Sequence, residues 1–304
     1  MHSGFFDIGE GIPSGKEVVN GGPARLEMRP AQELRAYLSA LPEQEQAAAL
    51  ARLERVRPDV VDGAYRLPNG ALQLPREVPP RPFAPKGRAD GDASSRERTY
   101  YVNGINANAA RVGYEAQLVS DTLGVPVVSI YNATGGMVRD LSEAAAQMIG
   151  GAATGSSSTV AAVVKQAVLT QRATHLIGYS QGAVVIAIGI KQAMDDLRAT
   201  LGDDLESRMQ CVRVTTLGGV GFSFPHGVAA KHIGNAMDPV MYLGPSGVGR
   251  TGSHGVAQRH GTFHRDREVD RVPAAAPHQL GGLPQLAVDK VHGLDTYLQR
   301  MRDQ

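Results

Sequence analysis

The chain has a single cysteine, Cys211, and no tryptophan among its 304 residues. One cysteine excludes an intramolecular disulfide and any metal site that is built from several cysteines. The sequence has no uninterrupted apolar run near the roughly 18 residues that a membrane-spanning helix requires. It also lacks an excess of charge, since 31 Lys and Arg face 30 Asp and Glu. We therefore expect no transmembrane segment and no overall attraction to nucleic acid.

The N-terminus, MHSGFFDIGEGIPSGKE, lacks the basic stretch followed by an apolar stretch that marks a cleavable secretory signal. The expected location is therefore the cytoplasm, with export that needs no cleavable signal as an alternative. Peripheral contact with a membrane is left open. No residue pattern identifies a protein partner for the N-terminal segment.

Residues 1–95 differ in texture from the rest and form an N-terminal extension. Leucines at helical spacing predict helices within 30–57. The segment 60–74 predicts a β-hairpin, because it contains Asn-Gly, the residue pair that tight hairpin turns favour. Residues 75–98 are rich in proline, which disfavours regular strands and indicates a linker.

Residues 96–304 alternate between apolar strands and helices, which is typical of an α/β domain. Near-continuous apolar strands predict a mostly parallel sheet that is covered by helices on both faces. The predicted strands cover 99–105, 125–132, 174–180, 211–219 and 231–237, and the predicted helices cover 108–124, 138–149, 159–171, 181–201 and 293–302. The glycine- and serine-rich stretch 150–158 and the aperiodic stretch 244–284 are expected to be loops.

The strongest motif is Gly178-Tyr179-Ser180-Gln181-Gly182, which has the GxSxG pattern of a nucleophile elbow. It follows a predicted apolar strand and opens a long predicted helix, as that motif requires. Small residues on both flanks relieve crowding in the tight turn, and the N-terminus of the helix favours the negative charge that develops on a substrate. Ser180 is therefore the candidate nucleophile.

A serine hydroxyl becomes reactive when a histidine takes its proton and a carboxylate orients that histidine. After an elbow serine, the acid and then the histidine follow along the chain. Asp238 comes directly after the last predicted strand of the sheet, so its carboxylate is expected at the same sheet edge as Ser180. His292, just before the final predicted helix, is the candidate base, and His264 is the main alternative.

Other acids and histidines fit these roles less well. Asp203 and Asp204 lie in a polar connection that predicts solvent exposure. His175 lies at the far end of the strand that leads to Ser180. The remaining histidines considered for the base fall in the long predicted loop: His254, His260 and His278.

Two backbone N–H groups are expected to stabilise the negative oxygen of the reacting group. One belongs to Gln181, the residue after the nucleophile. The other is expected from the loop after the first core strand, where Gly104 allows a sharp turn and would direct the N–H of Ile105 into the site. Asn103 precedes this glycine.

These motifs together resemble the α/β-hydrolase fold of lipases and esterases, over about residues 97–303. The elbow is similar to those of cutinase-like and lipase-like enzymes in particular. Cutinases carry disulfides, which one cysteine cannot form, and hydrolases of this kind usually have His-Gly where this chain has Asn103-Gly104. The resemblance implies a serine esterase or lipase that cleaves a lipid or acyl ester through a Ser-His-Asp triad and an acyl-enzyme, with no metal and no organic cofactor.

The same residues would also serve a thioesterase or an acyltransferase. A non-catalytic partner-binding protein of this fold and a secreted bacterial effector lipase are further alternatives. The stretch 244–284 is long enough to act as a lid over the site.

Overall fold

The computed structural model describes residues 29–76, 78–87, 97–105, 107–133, 153–219, 224–234 and 293–302. The helices are α1 (Ala31–Ser39), α2 (Glu43–Leu53), α3 (Pro58–Val61), α4 (Ala109–Leu123), α5 (Gly155–Thr170), α6 (Gln181–Leu201), α7 (Asp204–Arg208) and α8 (Leu294–Arg302), with a 3₁₀ turn at Met209–Cys211. The strands are β1 (Tyr65–Arg66), β2 (Leu72–Gln73), β3 (Arg98–Val102), β4 (Val127–Ile130), β5 (Thr174–Tyr179), β6 (Val212–Leu217) and β7 (Ala229–Ile233). The predicted helix 138–149, the predicted loop 244–284 and the predicted boundary at 95 lie outside the described residues.

The strands form one mixed sheet in the order β2-β1-β4-β3-β5-β6-β7. The five strands from β3 to β7 are parallel to one another. Strand β1 runs antiparallel to both β2 and β4. The prediction of an α/β fold with a mostly parallel sheet is confirmed. The predicted hairpin is present as β1 and β2 and extends this sheet at one side, although residues 60 and 61 of its predicted range belong to α3.

Helices cover both faces of the sheet, as the burial of β5 illustrates. All six residues of this strand are buried. Leu176 packs in the apolar cluster that includes α5 and α6, whereas Ile177 and Tyr179 pack in the cluster that includes α4 and α8. Because successive side chains of a strand point to opposite faces, an apolar strand of this kind needs a helical layer on each side.

The N-terminal helices add a third apolar cluster that includes Leu38 of α1, Leu50 of α2 and Val60 of α3. Gln46 is buried beside them. Its Nε2 donates to the carbonyl of Leu38 at 2.8 Å, and its Oε1 accepts the N–H of Leu74 at 3.1 Å. A buried amide that is bonded at both ends costs little to bury, so Gln46 ties α1 to the end of the hairpin.

The start of α5 corrects one prediction. The serines of the stretch 150–158, predicted as loop, form the first turn of the helix, which begins at Gly155. Thr154 caps this turn: its side chain accepts from the N–H of Ser157, whose hydroxyl in turn accepts from the N–H of Thr154. Serine and threonine favour helix N-termini through this reciprocal bonding, a preference that composition alone does not reveal.

Candidate functional site

Ser180 occupies the turn between β5 and α6 in a conformation that L-residues rarely adopt. Its φ is 52° and its ψ is −119°, and among the residues described only one other non-glycine residue, Gln171, has a positive φ. The turn is fixed by the backbone, since the N–H of Ser180 donates to the carbonyl of Leu217 at 2.8 Å and its carbonyl accepts from Ala183 at 3.1 Å. Backbone strain of this kind persists only where the surroundings enforce it, and it gathers at functional sites.

The two glycines of the elbow leave no room for a side chain. A Cβ on Gly178 would lie 2.7 Å from the backbone nitrogen of Ala183. A Cβ on Gly182 would lie 2.2 Å from the carbonyl oxygen of Val102 in the neighbouring strand. Both contacts are to backbone, which cannot move aside cheaply. The glycines therefore let α6 start directly against β3.

Gly104 brings the loop after β3 against the nucleophile candidate. A Cβ at this position would lie 2.9 Å from the Cβ of Ser180 and 3.1 Å from the carbonyl oxygen of Tyr179. The pairing of Val102 with Gly178 across β3 and β5 puts the two strand ends side by side. The half-buried Ile105 follows in the same loop.

Asn103 braces this loop against the one that follows β4. Its Nδ2 donates to the carbonyls of Gly104 and Asn132, each at 2.9 Å, and its Oδ1 accepts the N–H of Asn132 at 2.8 Å. Both asparagines are buried. Buried amides that are bonded in this way hold backbone in a single arrangement. Asn103 therefore fixes the carbonyl of Gly104 and the course of the loop.

Asn132 also reaches the elbow. Its Nδ2 donates to Oε1 of Gln181 at 3.0 Å, and its Oδ1 accepts from the hydroxyl of Ser156 at 3.3 Å. The amide of Ser156 donates in turn to Oδ2 of Asp62 at 2.8 Å. Sequence reasoning did not identify Asn132, Ser156 or Asp62. A polar residue directly after a buried strand could have signalled Asn132, whereas the link from Asp62 to Ser156 spans 94 positions and leaves no local signal.

We call the sheet edge where the five parallel strands end the carboxyl edge, and the opposite edge the amino edge. Strands β3 and β5 are neighbours in the sheet, but the chain leaves them in opposite directions: α4 leads from β3 to β4, and α6 leads from β5 to β6. Ligands of open α/β sheets bind in the crevice outside the carboxyl ends at such a switch point. Ser180 and Gly104 lie on either side of it.

Tyr179 and α8 lie beneath the elbow on the other face of the sheet. The rings of Tyr179 and Tyr297 are 6.4 Å apart, and a Cβ on Gly218 would lie 2.6 Å from the Tyr297 ring. At the other end of α8, Arg302 donates to Thr122 at the end of α4, at 3.3 Å. Helix α8 therefore runs alongside α4, which starts at the carboxyl edge, and the first turn of α8 lies at that edge.

The other predicted catalytic side chains, Asp238, His292 and His264, lie outside the described residues. The described chain ends four residues before Asp238, just after β7, and resumes one residue after His292. Both of these ends belong to elements that reach the carboxyl edge.

The acids and the histidine that fit the catalytic roles less well by sequence, Asp203, Asp204 and His175, lie at the amino edge. Asp203 and Asp204 are exposed at the start of α7, after α6 has crossed the sheet. His175 is buried near the start of β5, where its Nε2 is 2.8 Å from Oγ1 of Thr215. Burial lowers the pKa of His175 to about 3, so the ring is neutral in the folded protein at neutral pH.

His232 is a further buried histidine, in β7. Its Nδ1 is 2.8 Å from Oγ1 of Thr216, and its ring stacks on Phe224. Burial lowers the pKa of this ring as well. These contacts make His232 a packed side chain of the α5 and α6 face.

A cavity of about 170 Å³ opens at the amino edge, far from Ser180. Its lining includes Arg98 and Arg172 together with the last turns of α5. Within the described ranges, no three His, Cys, Asp or Glu side chains are placed to share a metal ion. No described helix has the length and apolarity to cross a membrane. Neither a known family model nor a curated protein matches the chain.

Proposed function

We propose that the protein is a serine hydrolase that cleaves a carboxylic ester, with Ser180 as the nucleophile. The observation that carries this proposal is the strained backbone of Ser180 on a strand-to-helix turn, at the switch point of the sheet. A simple connection between β5 and α6 would need neither the positive φ at a serine nor two glycines in backbone contact. The geometry instead favours a Ser180 hydroxyl that is held at the carboxyl edge for reaction.

The reaction would begin with attack of the Ser180 hydroxyl oxygen on the ester carbonyl carbon. His292 would take the hydroxyl proton as this bond forms, and Asp238 would hold the tautomer of His292 and stabilise its positive charge. The protonated His292 would then give its proton to the departing alcohol oxygen as the ester bond breaks. Water, deprotonated by His292, would attack the acyl-enzyme and release the acid and the free serine.

The negative oxygen of the tetrahedral intermediate would be stabilised by the backbone N–H groups of Gln181 and Ile105. Gln181 is the first residue of α6, and the first N–H groups of a helix have no partner within it. The N-terminus of α6, a helix of 21 residues, adds a favourable dipole at the same place. The braces from Asn103 to Gly104 and from Asn132 to Gln181 would hold both donors in advance of the reaction.

Two features support the proposed α/β-hydrolase fold and the roles of Asp238 and His292. Parallel strands β3, β5, β6 and β7 deliver Gly104, Ser180, Gly218 and Gly234 to one edge. The start of α8, which follows His292 in the sequence, lies at that edge too. A lipid or acyl ester is the proposed substrate class, on the resemblance of the elbow to lipase-like enzymes.

The test is hydrolysis of a panel of p-nitrophenyl esters of increasing acyl length by the full chain. The Ser180→Ala variant is expected to lose at least about a thousandfold in kcat/KM, because the nucleophile is absent. Ser207→Ala is the matched control, since Ser207 is exposed in α7 and its hydroxyl donates to the carbonyl of Asp204 in its own turn. Ester turnover that is equal in wild type and Ser180→Ala would refute the proposal.

A further inference from the structure

Asp62 is a buried carboxylate that joins two separate parts of the fold. It is 8% exposed. Its Oδ1 accepts the N–H of Ala133, in the loop after β4, at 3.1 Å, and its Oδ2 accepts the N–H of Ser156, in the first turn of α5, at 2.8 Å. Each carboxylate oxygen thus accepts one backbone donor, an arrangement that an amide cannot reproduce on both sides.

Two glycines let the backbone of this segment come close to α5. Gly63 has a φ of +78°, and a Cβ on it would lie 2.2 Å from the carbonyl oxygen of Gly155. A Cβ on Gly155 would lie 2.3 Å from the carbonyl oxygen of Asp62. The hydroxyl of Thr159 also donates to the carbonyl of Gly63 at 2.8 Å. The position of Asp62 is therefore fixed from the side of α5.

The N-terminal helices fix Asp62 from the other side. Arg35 of α1 donates through Nη1 to the carbonyl of Val60 at 3.0 Å and to the carbonyl of Asp62. Asp62 directly follows α3, whose Val60 and Val61 are buried in the cluster of the N-terminal helices. Residues 29–62 thereby place a carboxylate against the loop that carries Asn132.

A continuous path of hydrogen bonds leads from Asp62 to the elbow. Asp62 accepts the N–H of Ala133, the residue after Asn132, and the N–H of Ser156, whose hydroxyl donates to the side chain of Asn132. Asn132 donates to the side chain of Gln181. The members are all buried apart from the half-buried Ala133. A network of this kind has one satisfied arrangement, and the loss of a member loosens the others.

We propose that Asp62 is a positioning residue that, through Ser156 and Asn132, holds Gln181 and with it the backbone N–H next to Ser180. The N-terminal segment then belongs to the catalytic unit, since it supplies Asp62, which holds Gln181 in place. This inference rests on the proposed function, because a donor beside Ser180 matters only if Ser180 reacts.

The first experiment measures the linkage without using activity. Urea unfolding is compared for wild type, Asp62→Asn, Gln181→Ala and the double variant of the full chain. Asp62→Asn loses one hydrogen bond to backbone, and Gln181→Ala removes the side-chain oxygen that accepts from Asn132. The fall in the urea midpoint of the double variant is expected to be smaller than the sum of the two single falls. Additive falls would overturn the proposed linkage.

The second experiment measures positioning. Asp62→Asn is expected to lower kcat for p-nitrophenyl butyrate at least about tenfold while KM changes less than about threefold, because a misplaced donor weakens the transition state more than the bound ester. Leu38→Ala is the control for stability, since Leu38 is buried in the N-terminal cluster and belongs to no part of the path. Both variants are assayed at a temperature at which urea curves show them folded.

A kcat of Asp62→Asn equal to that of Leu38→Ala would overturn the positioning role. A wild-type protein that turns over no ester would instead overturn the proposed function, and the urea comparison would still decide the linkage. The two failures are therefore distinguishable.

Discussion

The two edges of the sheet differ in what they hold. The carboxyl edge has a strained serine, glycines in backbone contact and a buried network of amide side chains. The amino edge has an open cavity with Arg98 and Arg172 in its lining, and an ion pair between Arg213 and Glu97 at 2.6 Å. Among the described residues, the open cavity and this ion pair lie at the amino edge, whereas the strained serine and the buried amide network lie at the carboxyl edge.

If Ser180 is the nucleophile, as proposed, the reactive site lies at the edge with the strained backbone and not at the edge with the open cavity. The cavity at the amino edge lies at the C-terminal end of α5, where the helix dipole places partial negative charge. Positive charge near a helix C-terminus is favourable, so Arg98 and Arg172 in this lining need no ligand to explain them. No comparable structural need accounts for a positive φ at Ser180.

The largest difference between the edges is expected from alanine at the two ends of α6. Gly182→Ala should lower the free energy of unfolding by at least about 3 kcal/mol, since its Cβ would lie 2.2 Å from a backbone oxygen. Gly202→Ala, at the other end of the helix, should cost only about 1–2 kcal/mol, because only its positive φ opposes a side chain and nothing lies within 4 Å. Urea unfolding measures both. Equal losses would show that the carboxyl edge is not the tighter one.

A smaller effect, on activity, is expected at Gly104. A Cβ at this position would press on the Cβ of Ser180, 2.9 Å away. Gly104→Ala should therefore lower kcat/KM for the ester about 10- to 100-fold, as the loop and its donor shift. Arg98→Gln at the amino edge is the control and should stay within about twofold of wild type. Loss of activity in Arg98→Gln as large as that in Gly104→Ala would contradict a site at the carboxyl edge.

The smallest effect concerns His175 at the amino edge and changes stability alone. Burial, with Arg213 nearby, lowers its pKa to about 3, and Glu97 opposes this only in part. An unfolded histidine takes up its proton near pH 6.5, so the unfolded state binds more protons between these values and stability falls as pH falls below about 6.5. The contribution is at most about 1.4 kcal/mol per pH unit.

His175→Gln should remove this contribution, so its free energy of unfolding should decline less steeply than that of wild type between pH 6.5 and 4.5. Urea unfolding at several pH values gives both slopes. Parallel slopes would mean that folding does not lower the pKa of His175. Ester turnover at pH 7 should be unchanged in this variant if chemistry is confined to the carboxyl edge.

The parts of the fold that repeat a pattern could be predicted from the sequence. The apolar runs of β5 and β6 and the helix Gln181–Leu201 follow from periodicity, because burial on one or both faces dictates which positions are apolar. The elbow could be predicted because its geometry needs glycine at two fixed positions around Ser180. The predicted start of α5 was wrong, because serines in the first turn of a helix resemble loop residues by composition.

The network behind the elbow could not be predicted. The bonds from Ser156 to Asp62 and from Asn132 to Gln181 join residues that are far apart in the sequence, and they depend on how the strands are arranged in the sheet. The sequence also does not predict that the hairpin extends the sheet, because β1 and β2 are two residues long and too short to show a strand pattern. Tertiary pairing decides such contacts, and it has no local pattern.

The most direct test of a reactive serine at the carboxyl edge is covalent labelling with a fluorophosphonate probe, followed by intact mass and peptide mapping. We predict a single adduct on the wild-type protein, located on Ser180, which also forms on the Ser207→Ala control and is absent from Ser180→Ala. No adduct on wild type, or an adduct that forms at the same rate on Ser180→Ala, would contradict it.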